Sequence, residues 1–107
     1  MGIGPHRAIL LALQRAGIGL EQLDLIEINE AFAPQVLACL KALDLDFDDP
    51  RVNPNGGAIA IGHPLGASGA RLVLSACRTL QRNNQRYAVV SLCVGVGQGV
   101  AMVIERA

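Results

Sequence analysis

Residues 23–33 read LDLIEINEAFA, a short apolar run that passes directly into a helical pattern. The run Leu23–Asn29 is rich in β-forming residues and has helical patterns on both sides, which is typical of a buried strand in a largely parallel sheet. A helix is predicted from about Glu30 to Leu43. Pro34 falls within its first turn or two, where proline does little harm. The order of these elements predicts an α/β domain.

The chain before this strand predicts one amphipathic helix. Gly4 and Pro5 open it, because proline is tolerated at the first helical position. Ile9 and Leu13 repeat at helical spacing, and Gly17 suits the residue that follows a helix. A parallel α/β domain usually begins with a strand, whereas this chain opens on a helix. We therefore expect a domain that lacks its first strand.

The chain after the strand predicts two loops, a helix and a hairpin. Asp44–Pro50 is an acidic surface loop, and Arg51–Gly66 is too broken for regular structure but apolar enough to be an ordered loop pressed into the core. A helix should run from Ala67 to about Leu80. Tyr87–Cys93 and Val100–Glu105 are predicted as antiparallel strands joined by a glycine-rich turn. The fold class is therefore α/β, a layered domain with a mixed sheet flanked by helices and ending in an antiparallel hairpin.

Composition excludes several classes of function. Hydrophobic residues make up 51% of the chain and charged residues 17%, which suits a folded core and argues against disorder. Nine basic and nine acidic residues cancel, so we expect no nucleic-acid partner. No apolar run is long enough for a membrane span, and no signal peptide is evident. Three cysteines without CxxC spacing favour neither a disulfide framework nor a zinc site, and they fit a reducing, cytoplasmic location.

Asn29 and Glu30 stand where the predicted strand passes into a helix. Ligands of open α/β sheets bind at this edge, so both residues are candidates for a site. Asparagine is also a good helix N-cap, and a glutamate in the first turn suits the helix macrodipole. From the residues alone both interpretations stay open.

His63 lies between a glycine and a proline in the stretch NPNGGAIAIGHPLGASG, residues 53–69. The residue before a proline favours extended backbone, so the imidazole should project from a rigid loop just before a helix N-terminus, where an anion is favoured. A loop histidine hydrogen-bonded to backbone is the alternative. Ser68 would cap that helix or contact a phosphate. His6 has no such surroundings and is predicted to lie on the surface.

Cys93 ends an apolar strand and enters the turn CVGVGQG, residues 93–99. Alternating glycines let backbone N–H groups point into a site, as an oxyanion hole requires. The alternative is a small buried hydrophobic residue beside a tight hairpin. Cys39 and Cys77 lie among Ala and Leu in helices and are predicted core residues. The turn is not a dinucleotide-binding fingerprint, because a strand and not a helix follows it.

Together these motifs closely resemble those of the thiolase family. NEAFA stands at Asn29–Ala33, GGAIAIGHPLGASGAR at Gly56–Arg71 and CVGVGQG at Cys93–Gly99, in the family's order, and the opening MGIGP is similar as well. The resemblance spans essentially the whole chain. The family's turn often reads CxGGGxG, and Val96 replaces its middle glycine. That departure resembles the β-ketoadipyl-CoA thiolase branch, which is an acetyl-CoA acyltransferase.

The resemblance implies thiolytic cleavage or Claisen condensation of 3-oxoacyl-CoA, with 3-oxoadipyl-CoA as the branch's substrate. By matching position, Cys93 would be the acid/base and His63 would activate the nucleophile and hold the thioester oxygen. Asn29 would hold a water that completes this oxyanion hole, and the Gly95 N–H would contribute to a second one. Coenzyme A enters as a substrate. No cofactor and no metal are implied.

The resemblance also implies missing parts. Full thiolases contain two similar halves, and the nucleophilic cysteine belongs to the half that is absent here. Residues 1–107 would therefore be a C-terminal domain without its first strand and without the whole N-terminal half, inactive alone, with that half as partner and a tendency to form homo-oligomers. The alternatives are a catalytically incomplete binding or scaffolding relative, and a cysteine–histidine hydrolase with Cys93 as nucleophile.

Overall fold

The computed structural model describes residues 2–107, which form helices around three strands. In chain order the elements are α1 Gly4–Ala16, β1 Leu25–Ile28, α2 Ala33–Ala42, α3 Ala58–Ile61, α4 Ser68–Arg82, β2 Tyr87–Val94 and β3 Gln98–Glu105, with a 3-10 turn at Leu20–Gln22 between α1 and β1. Met1, the first residue of the MGIGP motif, lies outside the described residues.

The strands form one mixed sheet in the order β1–β2–β3. Strands β1 and β2 are parallel, from the pair Leu25–Ala88 to the pair Ile28–Ser91. Strands β2 and β3 are antiparallel, so the predicted hairpin is confirmed. The carboxyl ends of β1 and β2 therefore reach the same edge of the sheet.

Each face of the sheet packs against helices because the strand residues alternate between the faces. One face meets α1 and α2 in a cluster that includes Ile26, Ile28 and Val89. The opposite face meets α4 through Leu25, Ala88, Val90 and the helix residues Leu72, Ala76 and Leu80. Cys39 is fully buried in the first cluster, as predicted, whereas Cys77, also predicted as a core residue, is only half-buried in α4.

Helix α1 also lies tightly against the start of β3. A Cβ atom added to Gly4 would overlap the backbone of Gln98 and Gly99, and one added to Gly99 would overlap the backbone of Gly4. These two glycines are required by the close approach of two backbones and not by an unusual φ angle.

Helix α2 begins at Ala33 and not at Glu30 as expected. Its N-cap is Phe32, whose backbone is extended, with φ −150° and ψ 148°. In a helix that included Glu30, the ring of Pro34 would clash with the Glu30 carbonyl group, four residues earlier. The helix therefore begins later, with Pro34 in its first turn. Asn29 is therefore not the N-cap of this helix.

The expectation for Arg51–Gly66 was wrong in part. Val52 does pair with Ile26 of β1 at the edge of the sheet. The apolar run that follows forms the single turn of α3, ended by Gly62 at φ 93°, where a left-handed backbone suits glycine. Ile59 and Ile61 are each 63% exposed, because one isolated helical turn can bury only one side, here that of Ala58.

Candidate active site

A cavity of about 420 Å³ lies beyond the carboxyl ends of β1 and β2. It is lined by Glu30, Ala31, Phe32, Ala58, Ile59, His63, Leu65, Cys93 and Gly95. Each of the three sequence motifs contributes to this lining, although they are far apart in the chain. This edge of the sheet is where ligands of open α/β folds bind.

His63 is held through one ring nitrogen. Its Nδ1 lies 3.4 Å from Asn29 Nδ2 and forms a short hydrogen bond with Ser68 Oγ. Because an amide nitrogen can only donate, the Asn29 contact favours a lone pair on Nδ1 and a proton on Nε2. Nε2 has no hydrogen-bond partner in residues 2–107. The ring is thus fixed by side chains, not by backbone, and keeps one nitrogen available at the cavity.

Ser68 supports His63 and does not cap α4. The N-cap of that helix is Ala67, which makes no side-chain cap. Ser68 is 1% exposed, and its Oγ also lies 3.3 Å from the Pro64 carbonyl oxygen. With a lone pair on Nδ1, the hydroxyl donates its single proton to His63, so the Pro64 contact is a close approach and not a second hydrogen bond.

Asn29 lies behind His63 and does not line the cavity. It is 1% exposed, and its backbone N–H donates to Ser91 O at 2.8 Å, which anchors it to β2. Its Oδ1 is buried without a partner among the described residues. Asn29 is thus brought together with His63, as predicted, but it reaches the cavity only through the imidazole.

Cys93 and Gly95 reach the cavity from β2 and the hairpin turn. Cys93 is half-buried and pairs with Gly99 across the hairpin. Gly95 is exposed, and nothing lies within 4 Å of the place where a Cβ would be. His6 is not part of this group. It is half-buried in α1 with an unpartnered Nδ1, so the prediction of a surface position was wrong.

These motifs and this fold can be compared with known proteins. The family model of the thiolase C-terminal domain matches residues 1–106. The chain belongs to the thiolase family. The resemblance inferred from the three motifs is therefore confirmed.

Two bacterial thiolases are each 58% identical to this domain over 106 residues, which are 99% of this chain and 26% of theirs. One is the β-ketoadipyl-CoA thiolase of Acinetobacter baylyi, and the other is the 3-oxoadipyl-CoA/3-oxo-5,6-dehydrosuberyl-CoA thiolase of Escherichia coli. The crystal structure of human mitochondrial 3-ketoacyl-CoA thiolase matches the same shares of each chain with a TM-score of 0.94 at 52% identity. The chain thus spans about a quarter of the length of these relatives.

Glu30 has a role in the thiolase domain that its place in the sequence did not reveal. Its Oε1 accepts a hydrogen bond from the Ile59 N–H at 3.2 Å, and its Oε2 accepts one from Asn53 Nδ2 at 3.4 Å. A Cβ on Gly57 would overlap this carboxylate. Glu30 therefore binds the first turn of α3 instead of acting in the first turn of its own helix. The glycine pair before Ala58 was the available signal of this close approach.

Glu27 was also missed as a notable residue. It is 1% exposed in the middle of β1, and burial raises the pKa of its carboxyl from 4.5 to about 7, although the nearby charge of Arg71 opposes the shift. Glu27 Oε1 and Arg71 Nη2 are both buried without partners among the described residues. A charged residue inside an otherwise apolar strand was the signal in the sequence.

No three His, Cys, Asp or Glu side chains in residues 2–107 are grouped so that they could hold a metal ion. No helix in this range combines the length and the apolar character needed to cross a membrane.

Proposed function

We propose that this chain supplies the proton-transfer and oxyanion side of a thiolase active site for cleavage or condensation of 3-oxoacyl-CoA. The observation that carries the proposal is the convergence of His63, Cys93 and Gly95 on one cavity. The imidazole there is already oriented by Asn29 and Ser68. Fixed donors and a nearby acid/base are what enolate chemistry requires.

The roles follow from the charges that develop during the reaction. Cleavage of the bond between the α and β carbons of 3-oxoacyl-CoA leaves an enolate on the acetyl-CoA part, and the Cys93 thiol would protonate its α-carbon. In condensation, the Cys93 thiolate would remove that proton. The Nε2–H of His63 would donate to the thioester oxygen, and the Gly95 N–H would serve the second oxyanion hole. Asn29, which lies behind the ring, would act by orienting the imidazole.

The acyl group needs a nucleophile from elsewhere. By resemblance, this would be a cysteine in the N-terminal half of a thiolase, with coenzyme A as the acceptor. The relatives from Acinetobacter baylyi and Escherichia coli are named for β-ketoadipyl-CoA and 3-oxoadipyl-CoA. Their identity of 58% to this chain supports 3-oxoadipyl-CoA as the substrate, alongside the shared form of the hairpin turn.

The decisive test compares the chain alone with the chain joined to the N-terminal portion of the Acinetobacter baylyi relative. We expect no CoA-dependent cleavage of acetoacetyl-CoA or 3-oxoadipyl-CoA by the chain alone, because the nucleophile is absent. The joined protein should turn over, and Cys93→Ala should abolish turnover. Cys77→Ala is the matched control and should retain it. Turnover by the isolated chain that Cys93→Ala abolishes would show that no second half is needed.

Exposed apolar side chains around the cavity favour an association partner. Leu65 is 86% exposed and Phe32 is 60% exposed. Ile59 and Ile61, close to Leu65 in the chain, are exposed as well. Apolar surface of this kind usually marks an interface. We expect the chain to self-associate, with a sedimentation coefficient that rises with protein concentration. A monomer at all concentrations would count against the proposed homo-oligomer.

A further inference from the structure

The side chain of Asn53 holds the last residue of β1 from the side opposite β2. Its Oδ1 accepts a hydrogen bond from the Ile28 N–H, and its Nδ2 donates to the Ile28 carbonyl oxygen, each at 2.9 Å. Its backbone N–H donates to Ile26 O at 2.9 Å. One amide side chain thus replaces a neighbouring strand for Ile28, the residue immediately before Asn29.

The backbone of Asn53 supports this arrangement. Its φ of 43° is in the left-handed region, which asparagine adopts more readily than most residues other than glycine. Most other residues at this position would therefore lose the two hydrogen bonds to Ile28 and would also disfavour the left-handed backbone that directs the side chain towards it.

Glu30 connects the Asn53 amide to the loop that carries His63. One carboxylate oxygen accepts from Asn53 Nδ2 at 3.4 Å, and the other accepts from the Ile59 N–H at 3.2 Å. Ile59 stands four residues before His63, and Gly57 leaves the space that the carboxylate occupies. A single side chain therefore spans the end of β1 and the first turn of α3.

We propose that Asn53 and Glu30 are positioning residues that set the separation of Asn29 from His63. Asn29 directly follows the residue that Asn53 holds, and His63 belongs to the segment that Glu30 holds. Their side chains meet at 3.4 Å, close to the longest distance at which a hydrogen bond still contributes. A small displacement of either segment therefore breaks the contact and leaves Ser68 as the one described side chain that still holds the imidazole. The catalytic consequence rests on the function proposed above, whereas the geometric one does not.

The pair can be tested by exchanging donor and acceptor. Asn53→Asp keeps an acceptor for the Ile28 N–H but removes the donor and sets two carboxylates against each other. Glu30→Gln keeps an acceptor for the Ile59 N–H but turns an amide towards the Asn53 amide. In the double variant the introduced amide can donate to the introduced carboxylate, so the bridge between the two segments is restored, while the Ile28 carbonyl oxygen stays without its donor. A general loss of stability would not be repaired in this way.

The first measurement uses the 107-residue chain and needs no turnover. In NMR spectra we expect Asn53→Asp to shift the Asn29 side-chain amide and the His63 ring signals, and the double variant to return them towards the native positions. Asn83→Asp, an exposed position after α4, is the matched control and should leave them unchanged. Native signals in Asn53→Asp, or no return in the double variant, would overturn the proposal.

The second measurement uses the chain joined to the N-terminal portion of the relative. We expect Asn53→Asp to lower kcat about 10- to 100-fold with little change in KM, since misplacement of about 1 Å has effects of this order. The double variant should recover the part of that loss that comes from the broken bridge. An unchanged kcat would contradict the positioning role. If the joined native protein is inactive, the proposed function fails while the NMR result still decides the positioning.

If Asn53→Asp does not fold, Glu30→Gln and Glu30→Ala decide the same question. Glu30→Ala removes both bonds and should displace the His63 signals and lower kcat more than Glu30→Gln. Equal effects of the two folded variants would overturn the proposal.

Discussion

The two faces of the sheet differ in what they bury. The face against α1 and α2 carries Ile26 and Ile28, and its buried polar Ser91 is satisfied by a hydrogen bond to the Val100 carbonyl oxygen. The face against α4 changes along β1 from Leu25 to Glu27, and the alternation continues to Asn29 at the carboxyl edge. Apolar burial stabilises the fold, whereas buried polar groups cost free energy unless they are paired.

Unpartnered polar atoms show the same difference. Four buried side-chain atoms in residues 2–107 lack a partner, and three of them belong to Glu27, Asn29 and Arg71, on the α4 side of the sheet. The fourth is His6 Nδ1 in α1. Both faces therefore bury an apolar cluster, but the α4 face also carries buried polar side chains that cost free energy and lead to the proposed site.

The largest effect on stability is expected from a substitution on the face of the sheet against α1 and α2. Ile26 is fully buried in its cluster, so Ile26→Ala should lower the free energy of unfolding by about 2–5 kcal/mol, through lost burial and the cavity left behind. Urea denaturation followed by circular dichroism measures this. Leu74→Ala, at a position 58% exposed in α4, is the control and should change it by roughly 0.5 kcal/mol or less. Equal losses of stability in the two variants would show that burial at Ile26 does not contribute more than an exposed position.

The free energy of unfolding should depend on pH through Glu27, which lies on the α4 face of the sheet. Glu27 has a pKa of about 7 in the fold and an ordinary value of 4.5, so its contribution to stability is full below pH 4.5, declines as the pH rises and is lost above pH 7. A shift of this size corresponds to roughly 3 kcal/mol. Glu27→Gln, which resembles the protonated carboxyl, should stabilise the domain by up to that amount at pH 8 and hardly at all at pH 4.

Urea denaturation of both proteins from pH 4 to pH 8 provides the test. Glu21→Gln, an exposed position in the turn before β1, is the control and should leave the pH dependence unchanged. If Glu27→Gln keeps the native pH dependence, the Glu27 carboxylate is not the group that lowers the free energy of unfolding at high pH.

The smallest effect is expected at the hairpin turn, which belongs to neither face. Val96 is 95% exposed with φ 66°, a conformation that costs a β-branched residue about 1–2 kcal/mol. Val96→Gly should remove this cost. The gain is reduced by roughly 0.5–1 kcal/mol, because glycine makes the unfolded chain more flexible. We expect a net gain of about 0.5–1 kcal/mol in thermal denaturation. Val94→Gly, within β2, should have the opposite sign, and a loss in both variants would contradict backbone strain at the turn.

Local patterns predicted most of the elements. The hairpin, α1, α4 and the strand before NEAFA follow from the period of apolar residues, proline and glycine, which act within a few residues. The start of α2 was predicted three residues early, because the ring of Pro34 acts on the carbonyl four residues before it. The turn of α3 was missed because a single helical turn is too short to show a period.

Motifs brought His63, Cys93, Asn29 and Gly95 to attention, but not their arrangement. The sequence left Asn29 open between a cap and a site residue, and Ser68 open between a cap and a phosphate contact. The ring of Pro34 excludes the cap at Asn29, and the observed start of α4 excludes the cap at Ser68. The distance from Asn29 to His63 depends on how the loop folds over β1. Glu27 and Asn53 were not recognised, and Glu30 was a candidate whose partners were not predicted, because the residues that surround them lie far away in the chain.

The sequence by itself determined the family, the α/β class and the candidates for the proposed chemistry, since these depend on residue type and spacing along the chain. The tertiary structure alone decided which of these residues meet. It set Asn29 behind His63 at 3.4 Å, with Ser68 on the same ring nitrogen, and it used Glu30 to join two segments. The physical reason is that hydrogen bonds act over about 3 Å in space, whereas these partners are separated by as many as 34 residues in the chain.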